Sequence, residues 1–167
     1  MFFIFGLMKD KLKVYLDTTI FSFLQALDSP EKMADTLIFW EDLMAMKYQV
    51  FTSDVAIREI NKCHEPKRSF MLDKLKELSP TVLETETNVE ELAMEFVKLG
   101  ILKEKSIDDC QHIATALLEK CNIIVSWNFQ HIVNYKTIEG VQIISVTRGF
   151  DHIDIFCPSS LIGGNDD

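Results

Sequence analysis

Apolar and polar positions along the chain alternate in blocks that predict strands and helices in turn. Short runs predict strands at 13–16, 49–52, 81–83 and 123–126, of which the first is expected to be buried and the last is rich in β-branched residues. Between these runs apolar residues recur at spacings of three and four, the period of a helix with one apolar face. Because strands that alternate with helices pair in parallel beneath helices on both faces, the pattern predicts an α/β fold with a mainly parallel sheet.

Short signals place some of the helix ends. Pro30 favours the first position of a helix, and Gly100 favours a left-handed cap after another. Thr87 with Glu90, and Ser106 with Asp109, have the spacing of capping boxes. The β-branched residues at 141–146 predict a last strand, and the segment 148–167 is expected to be a C-terminal tail.

Length and composition predict one globular domain, 1–167. The 167 residues are 47% hydrophobic, and no linker or low-complexity stretch divides them. Residues 1–10 are an uncertain extension, because Met8 could be the true start. The apolar opening is too short to span a bilayer, so we expect no membrane segment. Four cysteines without a Cys-x-x-Cys pair indicate free thiols in the cytoplasm.

The charge of the chain is unevenly distributed. A net charge of −9 disfavours a nucleic-acid partner, since phosphate contacts need Lys and Arg. Residues 58–76 nevertheless carry a local charge of +3, whereas residues 84–95 carry five glutamates and no base. The basic stretch is either a solvated helix face or an RNA contact surface.

Four polar side chains recur at comparable places. Asp17 follows the first predicted strand, Glu59 lies on the helix after the second, Asp109 opens a helix, and Asn128 follows the strand at 123–126. In a parallel sheet such positions meet at the carboxyl edge, where these folds bind ligands. Three carboxylates and an amide there predict a site for Mg²⁺ or Mn²⁺, which prefer oxygen ligands.

The same places carry a resemblance to a known family. In order, Val-Tyr-Leu-Asp-Thr-Thr, Ile-Arg-Glu-Ile, Asp-x-x-His-Ile-Ala-Thr-Ala and Ile-Val-Ser-Trp-Asn-Phe resemble a PIN domain, more narrowly the VapC-type toxin ribonucleases. The resemblance implies a three-layer α/β/α sandwich and metal-dependent cleavage of RNA. It implies Asp17, Glu59 and Asp109 as catalytic and metal-binding carboxylates, with Asn128 at a fourth position where many relatives have Asp. It also implies a homodimer and an antitoxin protein that blocks the site.

Each site residue also has a structural explanation. Asp17 could cap the next helix, and Asp109 could complete the capping box with Ser106. Glu59 could be a solvated helix residue, and Asn128 an ordinary turn residue or cap. The shared edge of all four favours a site over these separate explanations.

Neighbouring residues leave further alternatives open. Thr18 could orient a carboxylate or be a satisfied turn hydroxyl, and the second interpretation is slightly preferred. His112 and His131 could act as bases, but a metal-bound water needs none, so we expect both to be structural or peripheral. Trp127 and Phe129 could stack on a base, or at least one of them could pack in the core.

Other function classes fit less well. A dinucleotide-binding protein would need a Gly-x-Gly-x-x-Gly turn after the first strand. A haloacid-dehalogenase-type phosphatase would want a second Asp two residues after Asp17, where Thr19 stands. A Cys/His zinc site fails the usual ligand spacings. The remaining alternative to the ribonuclease is a catalytically weak PIN-like module that binds RNA or protein.

Overall fold

A computed structural model describes residues 10–163 and contains one five-stranded parallel sheet. The strand order is β3-β2-β1-β4-β5. The strands are β1 (Lys13–Leu16), β2 (Gln49–Ser53), β3 (Thr81–Leu83), β4 (Ile123–Val125) and β5 (Asp154–Phe156). In the middle of the sheet Val14 pairs with Val50 on one side and Ile123 on the other. The possible start at Met8 lies outside the described residues.

Seven α-helices cover the two faces of the sheet in the described part of the chain. They are α1 (Thr18–Phe23), α2 (Pro30–Met44), α3 (Asp54–Asn61), α4 (Lys67–Leu78), α5 (Thr87–Lys98), α6 (Ile107–Leu118) and α7 (Tyr135–Arg148). None of the helices between residues 10 and 163 is long and apolar enough to cross a membrane.

The core is divided by the sheet into two apolar clusters. Side chains alternate along a strand, so Tyr15 enters one cluster while Val14 and Leu16 enter the other. The first cluster packs β1 against α5, α6 and α7, and the second packs it against α1, α2, α3 and α4. The predicted three-layer α/β/α sandwich with a parallel central sheet is therefore confirmed.

The helix signals in the sequence are confirmed in part. Pro30 is the first residue of α2, and Gly100 follows α5 with a φ of +70°, which favours glycine. Neither predicted capping box forms, because Glu86 precedes α5 as its cap and Ser106 makes no side-chain cap bond to α6. The structural explanation of Asp109 as half of a capping box is therefore wrong.

The strand predicted at 141–146 is also wrong, because these residues belong to α7. Within this run Val141 and Ile144 are buried three positions apart, whereas Ile143 and Val146 are exposed. This spacing of buried residues is that of a helix. The packing of one helical face therefore outweighs the β-propensity of the individual residues. The last strand, β5, lies instead within 148–167, the segment expected to be a tail. The prediction of a single domain, 1–167, stays a prediction.

Candidate active site

Asp17 stands where β1 ends and α1 begins. Its Oδ1 accepts hydrogen bonds from the backbone N of Thr19 at 3.1 Å and from Thr19 Oγ1 at 2.5 Å. Its Oδ2 accepts one from Ser126 Oγ at 2.6 Å. The structural explanation of Asp17 as a helix cap is therefore correct, but capping uses one backbone donor and leaves the second oxygen to Ser126, the residue after β4. Burial raises the pKa of Asp17 from 3.8 to about 6, against the hydrogen bonds and a nearby histidine.

Glu59 projects from α3 and is held by two partners. Thr18 Oγ1 donates to its Oε1 at 2.8 Å, and His112 Nε2 donates to the same oxygen at 2.5 Å. The second nitrogen of His112, Nδ1, lies 2.7 Å from the hydroxyl of Tyr15, which is also 2.7 Å from Ser53 Oγ. Thr18 therefore orients a carboxylate, which is the less preferred of its two sequence interpretations. The hydroxyl of Ser53 is hydrogen-bonded to Tyr15 and makes no capping bond to α3.

The pair formed by Glu59 and His112 is electrostatically matched. Burial opposes both charges, but the hydrogen bond and the attraction between the two outweigh it. The pKa of Glu59 is consequently lowered and that of His112 is raised. His112 is only 2% exposed. Its protonated ring would therefore be a buried positive charge that offsets the negative charge of Glu59. Asp17 and Asp109 also raise its pKa, which places all three carboxylates within electrostatic reach of one ring.

Asp109 lies in the first turn of α6 and faces the loop after β4. Asn128 Nδ2 donates to its Oδ1 at 3.1 Å, and His131 Nδ1 lies 2.9 Å from its Oδ2. The side-chain oxygen of Asn128 accepts from the backbone N of His131 at 2.9 Å. Burial raises the pKa of Asp109, partly opposed by His112 and His131. Asn128 is thus a turn residue, as its structural explanation expected, and its amide also donates to a carboxylate; its place as a fourth metal ligand stays a prediction.

Ser126 joins the two halves of the site. Its hydroxyl donates to Asp17 and accepts from the backbone N of Asn128 at 2.9 Å. A continuous set of hydrogen bonds therefore runs from Asp17 through Ser126 and Asn128 to Asp109. The structure brings the four predicted residues to the carboxyl edge of the sheet, on the elements from which they were expected.

The charge of the site fits a divalent cation. Within residues 10–163 the only ion-pair partners of the three carboxylates are His112 and His131, while Lys62 attracts Glu59 from beyond ion-pair distance. The donor set, three carboxylates and an amide oxygen, is the kind that Mg²⁺ and Mn²⁺ take. In that same part of the chain, however, no three His, Cys, Asp or Glu side chains are gathered around one ion position. The assignment of a cation to these residues stays a prediction.

The two histidines are the functional candidates that sequence reasoning missed. Both had been assigned structural or peripheral places, yet each contacts a candidate carboxylate directly. Their spacing gave no direct signal, because His112 is three residues after Asp109 but contacts Glu59, and the side chain of His131 contacts Asp109. Asp108, by contrast, forms ion pairs with Arg58 at 3.8 Å and Lys62 at 3.7 Å. It is an outer residue, as a rotation of about 100° along α6 predicts.

The aromatic neighbours of Asn128 have different environments. Trp127 is 5% exposed and belongs to the apolar core, as predicted for at least one of the two. Phe129 is 44% exposed. All four cysteines are free thiols, as predicted.

Comparison with solved structures supports the fold. A chain of the crystal structure of VapBC2 from Rickettsia felis, bound to a DNA fragment from their promoter, superposes with a TM-score of 0.53 at 14% identity. The match covers 87% of this chain and 98% of that chain. No family model matches the sequence, and no curated protein matches it. At this identity the likeness shows the fold, so the PIN-like architecture predicted from the sequence is confirmed.

Proposed function

We propose that this protein is a metal-dependent endoribonuclease that hydrolyses RNA phosphodiester bonds at the carboxyl edge of its sheet. The observation that carries the proposal is the placement of three carboxylates at one edge of the sheet, one buried and two half-buried, whose ion-pair partners among residues 10–163 are histidines alone. Such an arrangement is costly unless a cation compensates it. The fold shared with the VapBC2 chain supports the same conclusion.

The ion would be Mg²⁺ or Mn²⁺, held by oxygens of Asp17, Glu59, Asp109 and Asn128. When bound, it lowers the pKa of a water and neutralises charge that develops on the phosphate. Glu59 and Asp109 would exchange their histidine hydrogen bonds for the ion.

The side chains of this chain have distinct tasks in the proposed reaction. Thr19 and Ser126 hold the two oxygens of Asp17 in fixed directions. With a pKa of about 6, Asp17 is mostly ionised at neutral pH and can accept a ligand there. His112 is held by Tyr15 and can keep or release a proton at Nε2 as Glu59 changes partner. No covalent nucleophile is needed.

The proposal extends to the partners of the enzyme. We infer that the chain is the toxin of a toxin–antitoxin pair, with RNA as substrate, an antitoxin protein that covers the carboxylates, and a second copy in a homodimer. The VapBC2 structure supports an antitoxin-like partner because it is a complex of that kind bound to promoter DNA. The cytoplasm is the compartment in which RNA would be met.

A second candidate is a PIN-like module that binds RNA or protein without cleaving it. It is favoured by Asn128, whose side-chain oxygen is already bonded to His131 N. A neutral amide also attracts a divalent ion less than a carboxylate does.

Cleavage of RNA separates the two candidates. Purified wild-type protein should cut total RNA and single-stranded oligonucleotides with Mg²⁺ or Mn²⁺ and should not cut them with chelator. Asp17→Asn should remove cleavage by at least about a hundredfold while circular dichroism stays unchanged, because it keeps the shape and removes the charge. Equal cleavage by both proteins would mean that the activity does not depend on Asp17 and comes from another site or from a contaminating ribonuclease. An inactive metal-loaded wild type would leave the binding module as the better account.

A further inference from the structure

Beside the carboxylates, three aromatic rings surround one ammonium group. Lys32 lies in the first turn of α2. Its Nζ is 5.1 Å from the ring centroid of Phe129, 5.5 Å from that of Phe23 and 5.6 Å from that of Trp127. These are cation–π distances. We name Lys32 with these three rings the aromatic cluster.

The charge of Lys32 is available to an anion. Among residues 10–163 no carboxylate lies within ion-pair distance of its ammonium. The ring faces stabilise the cation but do not neutralise it. This is a local positive charge beside an acidic centre, in a chain whose net charge is −9.

The rings of the cluster differ in how firmly they are held. Trp127 is 5% exposed, and its Nε1 donates to Thr36 Oγ1 at 2.8 Å. Phe129 meets Trp127 edge-on, with centroids 6.0 Å apart and an angle of 72° between the rings. At 44% exposure, Phe129 still presents a large part of its apolar surface to solvent. A fixed ring therefore supports a ring whose exposed surface is accessible to a partner from solvent.

The cluster is tied to the carboxylates through short paths. The backbone N of Trp127 donates to Thr19 Oγ1 at 2.8 Å, and that hydroxyl donates to Asp17. Phe129 directly follows Asn128, whose amide contacts Asp109. The exposed ring is thus held at a fixed place next to the site where a phosphodiester would be cut.

We propose that Phe129 and Lys32 form a nucleotide subsite for single-stranded RNA. One unpaired base stacks on the ring of Phe129, and the ammonium of Lys32 contacts the adjoining phosphate. Stacking on one ring needs a base that is free of its duplex, and any base offers a face, so the subsite selects strandedness more than sequence. The inference rests on the proposed function, since it assumes RNA at the carboxyl edge.

Binding without cleavage tests this subsite separately from the catalytic proposal. The probe is a single-stranded RNA octanucleotide that contains 2-aminopurine, titrated with protein in chelator over a series of salt concentrations. Phe129→Leu keeps apolar bulk but removes the aromatic face, whereas Phe129→Trp keeps it. Lys32→Gln removes the charge, and Lys76→Gln removes an exposed charge near the end of α4, just before the amino end of β3.

Stacking predicts that Phe129→Leu lowers affinity by about tenfold and abolishes the quenching of 2-aminopurine, while Phe129→Trp retains both. Lys32→Gln should reduce the salt slope of log K by about 0.7, and Lys76→Gln should leave it unchanged. Equal binding by Phe129→Leu and wild type would overturn the subsite even if the protein cleaves RNA. Failure of the wild type to bind the probe would overturn it as well. Quenching that depends on Phe129 would support it even in a protein without nuclease activity.

Discussion

The two edges of the parallel sheet are formed by the same strands but differ in what lies at the strand ends. At the carboxyl edge, Asp17, Glu59 and Asp109 are joined by hydrogen bonds to two histidines and to the loop after β4. At the amino edge a cavity of about 690 Å³ is lined mainly by apolar groups, among them Leu43, Met46, Tyr48, Val50, Leu78 and Pro80. Among the described residues only one carboxylate, that of Asp10, lines this cavity, so concentrated charge, not cavity size, marks the carboxyl edge as the candidate site.

The largest difference between the edges should appear in the pH dependence of stability. The pKa of Asp17 is about 6 in the folded protein and ordinarily 3.8, so the folded state holds its proton more tightly. This residue therefore stabilises the fold below about pH 4, and that contribution is lost as pH rises to about 6. The pKa difference corresponds to about 3 kcal/mol.

Asp17→Asn removes this titration. Between pH 4 and pH 7 the free energy of unfolding of the variant, measured by urea denaturation in chelator, should rise by about 2 kcal/mol relative to wild type. Asp10→Asn, at the exposed amino-edge end of the described chain, is the matched control for the loss of one carboxylate outside the site. If the difference in free energy of unfolding between Asp17→Asn and wild type did not change with pH, ionisation of Asp17 would not be unfavourable in the folded protein.

Sequence alone predicted those parts of the molecule whose signals are local. Four of the five strands were visible because β1, β2, β3 and β4 are apolar runs between helical patterns. The carboxylates were visible because Asp17 directly follows such a run. β5 was not predicted, because its three residues begin with the charged Asp154 and lie after Thr147, where the alternation of strand and helix patterns ends.

The features that could not be predicted from the sequence depend on contacts between distant segments of the chain. His112 meets Glu59 across 53 positions, and His131 meets Asp109 across 22. Nothing in the spacing of α3 shows which ring its glutamate will face. In α7 the β-branched residues suggested a strand, and only the packing of Val141 and Ile144 against the first core cluster decides for a helix.

A smaller effect is expected from the two ends of β4, each of which carries an asparagine. Asn128 contacts Asp109 at the carboxyl end, and Asn122 accepts from the backbone N of Lys13 at the amino end, at 2.8 Å. Asn128→Ala should lower the cleavage rate by about tenfold, because it loosens a carboxylate without removing its charge. Asn122→Ala should leave the rate unchanged.

Initial rates on a fluorescent RNA oligonucleotide with saturating Mg²⁺ measure both variants. Asp17→Ala in the same assay should lose at least about a hundredfold. If Asn128→Ala proved the more damaging of the two carboxyl-edge changes, the roles of amide and carboxylate would be reversed.

Binding of Mn²⁺ by the metal-free protein tests the central claim most directly, because it asks whether the carboxylates of the carboxyl edge hold a divalent ion. Free Mn²⁺ is followed by electron paramagnetic resonance at pH 7 in titrations of wild type, Asp17→Asn and Asp10→Asn. We expect wild type and Asp10→Asn to bind Mn²⁺ with equal affinity and Asp17→Asn to bind at least about tenfold more weakly, since each carboxylate lost lowers the charge of the site. Equal affinity in all three proteins, or no binding by wild type, would contradict the account.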